Sequence, residues 1–218
     1  AGTITCGNTA LTVGSIVVIG TMTFPSASGS CTVNAEGTGS HGTNGLAMDL
    51  NGTVVHNSGT VTFTGSHGTE VDLVPSSGTL DNVTINKTGD ELRLAGATTI
   101  AGDVTVTDGQ LSGQTADHSF GSLTIATDGT YSATSGTTTL TDQHTGTYYL
   151  LDNNGTFTHN NGTVTFTDAG RLSLNAGATP THRLNNLIIN TATSGVSLYG
   201  ALTIDGTFTH TDGNFHPQ

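Results

Sequence analysis

One phrase is written twice in this chain, and it constrains the fold more than any other feature. Residues 51–64 read Asn-Gly-Thr-Val-Val-His-Asn-Ser-Gly-Thr-Val-Thr-Phe-Thr, and residues 154–167 read Asn-Gly-Thr-Phe-Thr-His-Asn-Asn-Gly-Thr-Val-Thr-Phe-Thr, 103 positions later. The likeness runs on. Asp81-Asn82-Val83-Thr84-Ile85-Asn86 answers Asn185-Asn186-Leu187-Ile188-Ile189-Asn190 with one slip, and Leu94, Gly96, Ala97, Thr99, Ile100 and Gly102 answer Leu198, Gly200, Ala201, Thr203, Ile204 and Gly206. A duplication of this length, covering units 48–113 and 151–216, is the signature of a repeat architecture.

The phrase subdivides. Its Gly-Thr opening recurs, with small changes, at Gly52, Gly78, Gly102, Gly129, Gly155 and Gly206, with Thr181 filling the last gap, at steps of 24 to 27 residues. Between markers, Val61 and Phe63 alternate with Thr60, Thr62 and Thr64, and Leu123 and Ile125 flank Thr124. Successive side chains on a strand point to opposite faces, so each apolar set faces a core while Thr faces water. Asn57-Ser58-Gly59, Thr107-Asp108-Gly109 and Asn160-Asn161-Gly162 supply turn chemistry between strands. The expectation is an all-β fold: one right-handed parallel β-helix, or β-solenoid, of about eight coils of roughly 25 residues. The alternative is an antiparallel hairpin sandwich, because Phe157 to Phe166 reads locally as a hairpin around Asn161-Gly162. The near-constant spacing favours coils, since stacked turns need a fixed period and hairpins do not. Residues 1–47 match the repeat poorly and are expected to form atypical N-terminal coils, with Gly37 to Gly45 as a loop, continuous with a repeat solenoid over 48–218. No segment carries a helical period.

Composition narrows the partners. Sixteen acidic residues face four basic ones, Lys87, Arg93, Arg171 and Arg183, for a formal charge of -12. Binding a phosphate backbone requires Lys and Arg, so nucleic acid and anionic membranes are poor partners. No apolar run is long enough to span a membrane. The chain opens at Ala1 without Met, as a processed secreted protein or an excised fragment would. Cys6 and Cys31 read as one coil position visited twice, which would set them about one strand spacing, 4.7–4.9 Å, apart and suit a disulfide. Two buried free thiols are the alternative.

Residues 155–167, followed by Leu184-Asn185-Asn186-Leu187-Ile188-Ile189-Asn190, resemble the β-strand repeats of large secreted and surface-displayed microbial proteins, in particular adhesin-like stalks. The resemblance covers roughly residues 48 to 216. It implies a β-solenoid and an extracellular structural role, without assigning an activity.

The candidate chemistry is sparse. His56, His159 and His210 share a place in the repeat, but Val106 and Ala133 hold that place in between, so no shared metal ion is expected. His41, His67, His118, His144, His182 and His216 have no pairing in sequence. Glu70 with Asp72, and Asp90 with Glu91 beside Arg93, are the only carboxylate groupings; with few bases and no Trp they are expected to be solvated faces, and no enzyme is expected. The Thr-x-Thr strings suit an ice-binding array, which Gln110, Ser112 and Asn214 would interrupt. Calcium would take oxygen ligands at Asp108, Asp128, Asp152 or Asp212, yet no calcium-loop spacing occurs. Five Asn-x-Ser/Thr triplets, at Asn51, Asn82, Asn86, Asn154 and Asn161, would accept glycans on a secreted protein. The functional expectation is a secreted subunit that polymerises with itself, by end stacking or by donating its N-terminal strand. Its contact residues would be Ile4, Leu11, Val13, Ile16, Val18, Ile19 and Phe215. The rival expectation is a binding module for surface glycans or proteins.

Overall fold

The computed structural model describes residues 2–7, 10–27, 29–36, 44–66, 70–76, 78–144, 146–174 and 182–218. The expected loop as far as Thr43, His41, His67 and the Thr181 marker lie outside the described residues. No helix occurs among those described, and every strand pairing there is parallel. The Asn161-Gly162 hairpin is therefore not formed: Phe157 pairs with Tyr131, while Val164 lies between Thr138 and Leu187.

The chain visits three ladders in a fixed order. Ladder A begins with Thr3–Thr5, Thr21–Thr23 and Thr53–Val55, and resumes as Leu80, Ile100, Phe120, Leu140, Phe166, Ile189 and His210 in register. Ladder B is continuous, its inward column running Leu11, Cys31, Val61, Val83, Val104, Leu123, Leu151, Leu172, Leu198, Pro217. Ladder C carries Ile16–Val17 with Gly45–Asp49, then Val71, Leu92, Leu111, Tyr131 and Phe157. Cys31, Val61, Val83, Val104, Leu123, Leu151 and Leu172 are all buried. Each such Val or Leu contributes on the order of 1.5–3 kcal/mol by leaving water, so the inward columns are the main stabilising element.

Two expectations need correcting. Ladder B has ten members where about eight coils were expected, and the step between members is not constant: Leu11 to Cys31 spans 20 residues, Cys31 to Val61 spans 30, and Val104 to Leu123 spans 19. Corners absorb the difference, since only the inward columns must stay in step.

The duplicated phrase is also out of phase with the ladders. Thr53–Val55 lies on ladder A, but its copy Thr156–Thr158 lies on ladder C; Thr60–Thr64 lies on ladder B, but Thr163–Phe166 lies on ladder A. Further on, Leu94 belongs to ladder C, and its counterpart Leu198 to ladder B. The unit that repeats is thus one strand with its corner, one side of the circuit. The 103-residue offset does not amount to a whole number of circuits, and the markers are spread over the sides: Gly52 and Gly78 precede ladder A members, Gly102 a ladder B member, and Gly129 and Gly155 ladder C members.

The corner chemistry agrees. Asn82 Oδ1 accepts the backbone N–H of Asp103 at 2.9 Å, and Asn186 Oδ1 accepts that of Thr207 at 2.9 Å. A Cβ on the glycine just before each donor, Gly102 or Gly206, would lie 2.5 Å from that same oxygen. One corner is built twice, on ladder B and on ladder A.

Candidate functional site: an open apolar end and an acidic groove

Strands at the end of a parallel stack pair on one side only. Thr3–Thr5, Leu11–Val13 and Ile16–Val17 each have a single neighbour, Thr21–Thr23, Ser30–Asn34 and Gly45–Asp49. Their side chains surround a cavity of about 530 Å³ lined by Ile4, Leu11, Val13, Ile16, Val18 and Ile19. Ile4 is 62% exposed, Val17 53% and Ile19 78%, whereas Ile16 and Val18 are buried. The residues singled out from sequence therefore converge on one apolar mouth. At the opposite end Phe215 is half-buried, and its ring lies 5.1 Å from that of Phe208, which is 42% exposed.

The cysteines depart from expectation. Both are free thiols. Cys31 stands in ladder B between Leu11 and Val61, while Cys6 follows a ladder A strand and its N–H donates to Thr23 O at 2.9 Å. They do not share a position, so the register argument for a disulfide fails. Burial, with Cys6 nearby, pushes the Cys31 thiol up to about 11.

A second concavity, about 470 Å³, is lined by Glu70, Asp90, Glu91, Asp108, Gln110 and Asp128 among others. It gathers carboxylates that are dispersed in the sequence. Arg93 Nη1 donates to Glu70 Oε2 at 2.6 Å and its Nε lies 3.6 Å from Asp72 Oδ1. Gln110 Nε2 donates to Glu91 Oε2 at 3.1 Å. Burial, assisted by Glu70 and Asp72, raises the Glu91 carboxyl above the usual range. Acid-base hydrolysis needs a second carboxylate free to face the substrate. Here Glu70 is tied to Arg93, while Asp108 accepts from Thr88 Oγ1 at 2.7 Å and Gly109 N at 2.7 Å.

The four calcium candidates do not come together at one place. Asp108 and Asp128 are ladder partners, Asp152 pairs with Ser173, and Asp212 with Asn190. No group of three or more His, Cys, Asp or Glu arranged to hold a metal ion occurs among the described residues.

The histidines do not share one place: His56 follows a ladder A strand, His159 a ladder C strand, and His210 lies within ladder A opposite Ile189. His159 Nε2 lies 3.3 Å from Asp205, which Arg183 also engages, and His144 Nε2 lies 3.4 Å from Asp103. His216 is exposed at the end of ladder B, whereas His118 and His182 are buried.

Of the sequons, Asn51, Asn86 and Asn161 are exposed and Asn154 is half-buried. Asn82 is committed to its corner, with its Nδ2 donating to Asp81 Oδ2 at 3.1 Å.

Sequence reasoning missed two features. Lys87 is fully buried, its Nζ donating to Ala35 O at 2.8 Å and Thr64 O at 3.4 Å; the alternation Val83, Ile85, Lys87 was the available signal. The threonines form an unbroken outward column on ladder B, Thr12, Thr32, Thr62, Thr84, Thr105 and Thr124, ending at Asp152. Gln110 and Ser112 stand on ladder C and do not interrupt it.

No family model matches the chain, no curated protein matches it, and no solved structure matches it.

Proposed function

We propose that this chain is an extracellular structural protein whose three ladders close into a right-handed β-helix, and that it polymerises head to tail into a fibre. The observation that carries the reading is the apolar mouth around Ile4 and Ile19, ringed by strands with unused pairing edges. Unpaired edges recruit further strands. All pairings among the described residues are parallel, so a second copy placed end on would extend the ladders without reversing direction. Its Phe208 and Phe215 would meet the mouth, and contact through two different surfaces generates an open filament. Donation of the N-terminal strand into a neighbour is the other route to the same polymer. The extracellular placement rests on the resemblance to surface-displayed stalk repeats.

Sedimentation velocity over a range of concentrations, with negative-stain microscopy, tests this. Assembly should grow with concentration and be lost in Ile4→Lys and Ile19→Lys variants. A monomer that forms no fibres at any concentration would sink the proposal.

One observation favours a second reading, binding of ordered water or ice: the six-threonine column of ladder B. Its strand spacing of about 4.7–4.9 Å sets hydroxyls at regular intervals. Thermal hysteresis in dilute solution, abolished by Thr84→Lys, would support it, and its absence would remove it.

A further inference from the structure

We infer that Tyr148, Arg171 and Tyr199 form a surface binding site for a carboxylate-bearing saccharide, of the uronic acid class. The Arg171 guanidinium carbon lies 5.6 Å from the centre of the Tyr148 ring and 5.7 Å from that of Tyr199, over both rings. Arg171 and Tyr199 lie on successive members of ladder B, and Tyr148 immediately precedes the member before them. Tyr149 pairs with Arg171, Arg171 with Ser197, and Tyr199 is the partner of Ser173.

Three observations separate this cluster from ordinary surface. First, Arg171 is one of four basic residues in a chain of charge -12, and the other three are engaged. Lys87 holds two backbone carbonyls, Arg93 holds Glu70, and Arg183 holds Asp205. Among the described residues, no carboxylate pairs with Arg171. Second, both rings lie open, Tyr148 55% and Tyr199 40% exposed. Third, Tyr148 has φ 63, a left-handed conformation that a bulky side chain adopts only at a cost. Its carbonyl nonetheless accepts the N–H of Arg171 at 2.8 Å, which fixes that loop to the next ladder member. The fold thus holds a half-exposed ring, in an unfavourable backbone state, beside a cation that no carboxylate among the described residues pairs.

The chemistry names the ligand. Guanidinium presents a planar fork of N–H donors that matches a carboxylate in two parallel hydrogen bonds. Phenol rings offer flat apolar faces, and a pyranose has a flat C–H face that lies against them. The Tyr148 and Tyr199 rings each lie within 5.7 Å of the Arg171 guanidinium carbon, so a short run of linked sugars can touch both rings with its carboxylate on Arg171. Neutral sugars lack the charged contact, and bare anions lack the stacked one.

The test is isothermal titration of the full chain at low ionic strength with trigalacturonate, with a neutral trisaccharide, and with acetate. Trigalacturonate should bind saturably and the other two should not. Arg171→Gln should weaken binding by at least about tenfold, as expected for loss of a charge-assisted fork. Tyr148→Ala and Tyr199→Ala should each weaken it while leaving circular dichroism unchanged. Absence of saturable binding, unchanged binding in Arg171→Gln, or equal binding of acetate would each overturn the assignment.

Discussion

Lys87 reaches across the chain to Ala35, 52 positions earlier, donating from Nζ to the carbonyl oxygen at 2.8 Å while fully buried. A second carbonyl, Thr64 O, lies 3.4 Å away. One ammonium thus closes the Ala35 carbonyl, and it adds a second contact at Thr64 O, which also accepts the Ala35 N–H at 3.0 Å. Replacing it with an apolar chain of similar length, Lys87→Met, keeps the volume and removes the donor. A stranded buried acceptor, here Ala35 O, costs about 1–3 kcal/mol, and urea denaturation should show a loss of that size.

His118 makes stability depend on pH. Its Nε2 lies 2.6 Å from Gly113 O, and its Nδ1 accepts the N–H of Thr98 at 3.3 Å, so the neutral ring with its proton on Nε2 satisfies both contacts. Burial lowers its pKa, against smaller raising effects of the Gly113 bond and Asp117. The unfolded chain then binds the proton more readily than the folded one. The contribution is full above the ordinary histidine value of about 6.5 and is lost as pH falls through the lower folded value. Urea midpoints should drop from pH 7.5 to pH 5, and His118→Leu should flatten that part of the slope.

The two equivalent corners should respond alike. Asn82→Ala removes the acceptor for Asp103 N, and Asn186→Ala the acceptor for Thr207 N. Each should cost about 1 kcal/mol, measured by chemical denaturation, although the corners stand on different ladders. Similar losses would support the strand-and-corner unit, and a large disparity would count against it.

Thiol labelling separates the cysteines. Cys31 is fully buried and its thiol is pushed up to about 11, while Cys6 is half-buried with a smaller rise, also from burial. The thiolate is the reactive form. Under native conditions iodoacetamide should therefore modify Cys6 well before Cys31, and mass spectrometry of peptides would show the order.

What the sequence made legible was alternation. Val61, Phe63, Leu123 and Ile125 were read as inward and all four are buried. Phase was not legible. Val61 and Val164 occupy matching places in the phrase, yet Val61 stacks between Cys31 and Val83, and Val164 between Thr138 and Leu187. Side-chain polarity reports only in or out, whereas the ladder a strand joins depends on how many residues its corners consume. The same gap explains the error at Cys6 and Cys31 and the hidden threonine column. The apolar mouth was foreseeable, because its residues are simply the inward set of the first strands. The Arg171 cluster was not, since Tyr148, Arg171 and Tyr199 meet only once the ladder is stacked.

Steps of 19 to 30 residues along one continuous column mean that the corners tolerate changes in length. Foreign loops grafted at a corner should therefore be carried with the ladders undisturbed. Lineages of such chains could likewise gain or lose a single strand and corner at a time, shifting every later surface residue onto a different ladder and so exposing a different set of side chains without rebuilding the interior.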